Sequence, residues 1–140
     1  MVGRFSHWKG QSYLLDVAKQ VSQAFPNVRF AFVGGTIPGQ NEIMEDFKRK
    51  IERLDLKDIV IYSDYRTDIP AVIDAYDIFV LPSIQPDPFP TVVLEAMAMA
   101  RPVVANAIGG CLEMIEDHQT GLLAKPGAID EMANSILYLL

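Results

Sequence analysis

The sequence has 140 residues, half of them hydrophobic and 21% charged, with a formal net charge of -6. That is the size and composition of one packed domain, and it excludes a disordered chain. The acidic balance argues against broad electrostatic capture of nucleic acid, no apolar run reaches membrane-spanning length, and the Met1-Val2-Gly3-Arg4 start lacks the pattern of a signal peptide. The single cysteine, Cys111, allows neither an internal disulfide nor a thiolate zinc cluster, which fits a reducing, cytoplasmic setting.

Met1-Val2-Gly3 reads as the end of a strand. Gln11 to Phe25 follows as a helix with Leu14, Ala18, Val21 and Phe25 on one face, broken at Pro26-Asn27. Val28 to Val33 is a strand ending in Gly34-Gly35. Asn41 to Leu54 is a helix that buries Ile43, Phe47, Ile51 and Leu54 and sets Glu45 and Arg49 at i,i+4 spacing on its outer face. Ile59 to Tyr62 is a strand, and Ile69 to Tyr76 a short helix with Asp68 as its N-cap. Ile78 to Leu81 is a strand stopped by Pro82, and Thr91 to Ala100 a helix. Val103 to Ala105 is a strand, Leu112 to Ile115 a helical turn, Gly121 to Ala124 a short strand and Ile129 to Leu140 a final helix. This βαβα alternation with short loops predicts an α/β fold, a doubly wound parallel sheet with helices on both faces, as one domain over residues 1–140. The chain opens on a strand and closes on the apolar helix end Tyr138-Leu139-Leu140 without a stop signal, so a fragment of a longer protein is expected.

Ligands of open parallel sheets bind outside the carboxyl ends of the strands, so chemistry is sought in the loops that follow them. The first loop runs Gly3-Arg4-Phe5-Ser6-His7-Trp8-Lys9-Gly10. Its two cations bracket the turn into a helix whose free N–H groups face the same space, an arrangement suited to a diphosphate. The same residues would serve as two solvated surface cations. The fourth loop places three prolines and Asp87 before a helix that carries Glu95 eight positions later. Carboxylates that accept paired hydroxyl hydrogen bonds hold ribose or pyranose rings, and the helix-start N–H groups of Thr91 and Val92 lie between the two. Gly34 to Gly39 lacks the Lys-Ser or Lys-Thr of a phosphate loop, and no G-x-G-x-x-G fingerprint is present. His7 is read as exposed and Cys111 as a structural thiol.

The ordered set of Gly3-Arg4, Lys9-Gly10, Asp87, Glu95-Ala96-Met97-Ala98, Arg101-Pro102-Val103-Val104-Ala105, Gly109-Gly110 and Thr120-Gly121-Leu122-Leu123 resembles the group 1 glycosyltransferases, also called glycosyltransferase family 4. The resemblance spans essentially the whole chain. It implies the GT-B fold, with this chain as the Rossmann-like, C-terminal, donor-binding domain, lacking an N-terminal acceptor domain and the terminal helices. It implies retaining transfer of a sugar from a nucleotide-sugar such as a UDP- or GDP-sugar, with no cofactor and no bound metal. Carried over by position, Arg4 and Lys9 would bind the diphosphate, Glu95 the ribose and Asp87 the transferred sugar, these first two and Asp87 being the catalytic set. Tyr65 and Arg66 would meet the base. Gly3, Pro82, Ser83, Phe89, Thr91, Val92, Gly109 and Gly110 would line the donor cleft. The acceptor would be a glycan, lipid or small molecule, and the full-length enzyme would sit in the cytoplasm with peripheral association at the inner membrane surface. The isolated domain is expected to transfer nothing. Three positions depart from the family pattern: Asp87 stands for the usual Glu, Pro90 for Gly and Asp64 for Gly. Alternative readings are a non-catalytic nucleotide-sugar-binding module and a GT-B sugar-nucleotide epimerase.

Overall fold

The computed structural model describes all 140 residues. Six helices and five strands alternate: α1 Gln11–Ala24, β1 Phe30–Val33, α2 Asn41–Arg53, β2 Val60–Ser63, α3 Ile69–Asp74, β3 Phe79–Leu81, α4 Thr91–Ala98, β4 Val103–Asn106, α5 Cys111–Met114, β5 Leu122–Ala124 and α6 Ile129–Leu139. A single 3-10 turn, His7–Lys9, precedes α1.

All strand pairs are parallel. The pairing β1-β2 forms one ladder and β3-β4-β5 another. The expected first strand is reduced to an edge: Met1–Gly3 is bound to β1 through one bridge, Val2 to Val33, and forms no named strand. Three hydrogen bonds hold it there, from Met1 N to Ala31 O at 2.6 Å, from Val33 N–H to Met1 O at 3.0 Å and from Gly3 N–H to Val33 O at 2.9 Å. So short a run pairs on one side only. An apolar cavity of about 450 Å³, lined by Met1, Phe30, Ala31, Ile78 and Val80 among others, lies between the two ladders beyond it.

The period of two in the strands divides the core. Phe79, Leu81, Val103 and Ala105 face one side, where they pack on Ile73 of α3, Val93 and Ala96 of α4, and Cys111 of α5. Val80, Val104, Phe30 and Phe32 face the other, against Leu14, Ala18 and Val21 of α1, Phe47 and Ile51 of α2, and Met132 and Ile136 of α6. Helices therefore cover both faces, as the alternation predicts. The cover is uneven. β3 and β4 are buried along their whole length, whereas Ile61 and Tyr62 of the edge strand β2 are exposed.

Three local expectations are corrected. Phe25 is 40% exposed because α1 ends one residue before it and leaves it at the C-cap. On α2 the ion pairs are Glu45–Lys48 and Asp46–Arg49 at i,i+3, in place of Glu45–Arg49. Asp68 occupies the N-cap position of α3 without bonding its N–H groups, since the Arg66 guanidinium takes both carboxylate oxygens.

Candidate functional site

The loops at the carboxyl ends of the strands are joined to one another by hydrogen bonds. Gly10 is the first joint. It sits at φ 80°, and a Cβ there would lie 1.9 Å from Pro82 O, so only glycine allows loop one to touch loop four. Ile84 N–H donates to Trp8 O at 2.9 Å across the same contact. Asn106, fully buried at the end of β4, donates from its amide to Pro82 O at 3.1 Å and Ser83 O at 3.0 Å. Gly110 N–H donates to Asp87 O at 2.8 Å, and Gly109, at φ 58°, lies so close to Asp87 that a Cβ would meet its carbonyl oxygen at 2.5 Å. Loops one and four and the loop after β4 thus form one wall.

Within that wall Lys9 and Asp87 meet. Lys9 Nζ donates to Asp87 Oδ2 at 2.7 Å, with the two side chains only 15% and 19% exposed. The ammonium also lies 4.4 Å from the Trp8 ring centre, a cation–π distance. Asp87 Oδ1 accepts a hydrogen bond from Phe89 N–H at 3.3 Å. The Cys111 thiol, buried beside this pair, is pushed up in pKa by burial and then by the Asp87 carboxylate, so it is held as an unreactive thiol.

Arg4 and Glu95 are exposed, Arg4 on a pocket of about 360 Å³ also lined by His7, Trp8, Ile37, Gln40 and Glu42. The backbone of Arg4 is fixed by Gln11, whose amide donates to Arg4 O at 2.8 Å from a side chain buried on the inner face of α1. Gln11 and Asn106 were absent from the residue set read from the sequence. A signal for Gln11 existed: it is a polar residue in helical register with Leu14, Leu15 and Ala18. Asn106 closes a run of three apolar strand residues, where only the fold shows that two carbonyls need a donor.

The remaining expected residues lie around this wall. Pro82 and Ser83 are buried within it, Phe89 is exposed on it, and Thr91 and Val92 open α4 directly behind Pro90, whose ring leaves that cap position without an N–H. Gly3 has open space beside its Cα. Tyr65 and Arg66 stand apart, exposed beyond β2. Tyr65 N–H is bonded to Asp64 Oδ1 at 2.7 Å, and Arg66 holds the Asp68 carboxyl below the usual carboxylate range through their hydrogen bond. A strip of two cations, two carboxylates and a helix start along one set of strand ends can bind a ligand with a central negative charge and hydroxyl groups to either side.

Comparisons with known proteins identify the family and the fold. The family model of group 1 glycosyl transferases matches residues 1–140. A glycosyltransferase of Haemophilus influenzae, not characterised further, is 32% identical over 136 residues, covering 96% of this chain and 37% of its own length. Among solved structures, Anabaena HepE in complex with UDP and glucose superposes with a TM-score of 0.91 at 36% identity, over 98% of this chain and 37% of that one. The C-terminal domain of a group 1 family glycosyl transferase from Francisella tularensis, 24% identical, shares the fold with a TM-score of 0.88 over 99% of this chain and 72% of its own. The chain spans 37% of the length of both the Haemophilus and the Anabaena relative.

Proposed function

Because the chain belongs to the group 1 glycosyltransferases and has the fold of a GT-B C-terminal domain, we propose that it supplies the nucleotide-sugar site of a retaining glycosyltransferase. The donor is a UDP-sugar. The reading is carried by one juxtaposition: Arg4, Lys9, Asp87 and the start of α4 all lie at the carboxyl ends of the strands, in a chain that superposes over nearly its whole length on a relative holding UDP and glucose.

Breaking the bond between sugar and diphosphate leaves negative charge on the departing phosphate. Fixed donors aimed at that charge lower the barrier because they need no reorganisation when it develops. Arg4 offers a planar fork, Lys9 a point charge, and the first turn of α4 its free N–H groups. Glu95 accepts the ribose hydroxyls, and Tyr65 and Arg66 flank the base. The acceptor, a glycan, lipid or small molecule, comes from the opposite wall, which a second domain provides. The full-length enzyme associates peripherally with the inner membrane surface in this reading; no helix of this chain is long and apolar enough to cross a membrane.

Calorimetric titration of the chain with UDP, GDP and ADP tests the donor site. UDP is expected to bind and to bind tightest; binding of none of the three would refute the reading. Arg4→Ala in the full-length protein is expected to lower turnover by about 100-fold or more, the scale set by removing one preorganised donor at a developing charge. Turnover within a few-fold of the parent would remove Arg4 from this role.

A further inference from the structure

We propose that Asp87 is a positioning residue that sets Lys9 in place for the donor diphosphate, and that its shorter side chain is required because the same carboxylate closes the turn carrying Phe89. This role rests on the donor-site reading above and refines it.

Both oxygens of Asp87 are engaged inside the chain. Oδ2 takes the Lys9 ammonium at 2.7 Å, across 78 residues of sequence, and Oδ1 takes Phe89 N–H two residues on. That second bond closes an Asx turn, which needs a carboxylate one methylene from the backbone. The backbone of Asp87 is clamped as well, by the Gly110 hydrogen bond and by Gly109 packed against it, between Pro86 and Pro88. The carboxylate is therefore a fixed anchor. Lys9, in contrast, has a flexible four-carbon stem that would otherwise sample many rotamers. An ammonium has three N–H donors. Asp87 takes one of them and leaves the rest for phosphate oxygens, so the cation is placed before the donor arrives.

The geometry separates the two demands on position 87. Asn keeps the oxygen that takes Phe89 N–H but puts a donor amide and no charge where the Lys9 ammonium meets Oδ2. Glu reaches Lys9 but is too long to close the turn. Asp meets both, which explains a departure from the family pattern that otherwise resembles a loss.

The test is a double-mutant cycle on sugar transfer by the full-length protein. Asp87→Ala and Asp87→Asn are each expected to lower kcat by about 10-fold or more, below the full loss for removing a charge-stabilising donor. The donor KM is expected to move little, since losing the Asp87 charge offsets the looser lysine. Lys9→Ala combined with Asp87→Ala is expected to match Lys9→Ala alone, and Asp87→Glu to fall below the parent. Penalties that multiply in the double variant, or an Asp87→Glu protein as fast as the parent, would overturn the role. A second readout needs no nucleotide: peptide-mapped acylation of Lys9 by an amine reagent is expected to speed up in Asp87→Ala and Asp87→Asn, and an unchanged rate would also overturn it. Failure of the parent protein to bind UDP would instead bring down the donor-site reading, while Lys9 acylation still reports the Asp87 contact.

Discussion

At the scale of single residues, the site depends on close approaches that few side chains permit. Gly10 is the sharpest case. It has the left-handed φ that disfavours a Cβ, and Pro82 O occupies the space a Cβ would need. Gly10→Ala is expected to destabilise the domain by about 2 kcal/mol or more, because strain at a special φ adds to a backbone clash. It should also loosen the joint between loops one and four that sets Lys9 against Asp87. Urea unfolding measures the first effect, and a change under about 0.5 kcal/mol, the range of neutral surface substitutions, would show that the loops can part at no cost. Lys9 and Asp87 were each visible in the sequence as charged loop residues, but their contact was not. Asn106 was silent, because it answers backbone carbonyls brought near only by folding, and Gln11 showed only as a polar residue on the apolar face of α1.

At the scale of elements, type was legible and edges were not. Apart from the strand expected at Met1–Gly3, each helix and strand stands where the apolar period places it, displaced at its ends by one or two residues, as the strand at Phe30–Val33 and the helix at Ile69–Asp74 show. The anchoring of α2 is a tertiary matter. Phe47 is buried against the rings of Phe5 at 4.9 Å, Phe32 at 5.0 Å and Tyr62 at 5.8 Å, all edge to face. The outer face of this helix is held only by exposed ion pairs of small worth, apart from Lys50 on Asp16 of α1 at 2.6 Å. Phe47→Ala is therefore expected to cost about 3–5 kcal/mol, the range for emptying a buried aromatic site. A loss below about 1 kcal/mol in equilibrium unfolding would mean that α2 is held by something other than this cluster.

At the scale of the molecule, no strand pairing joins the two ladders, and one apolar core that includes Phe30 and Phe32 of β1, Val60 of β2, Val80 of β3 and Val104 of β4 spans them both. Helices α1, α2 and α6 close that core, so loops that leave strands of different ladders are held in one frame.

The sequence by itself determined the alternation of elements, the two-faced cover of the sheet and the family, because these follow from local periodicity and from residue types at set spacings. It also determined which loops hold the charges. The tertiary structure alone decided how those charges are paired. Lys9 and Asp87 are 78 positions apart, and no local rule states that one carboxylate answers both a distant ammonium and the amide two residues ahead. Strand order and loop contacts brought them together, and with them the reason that an aspartate stands at position 87.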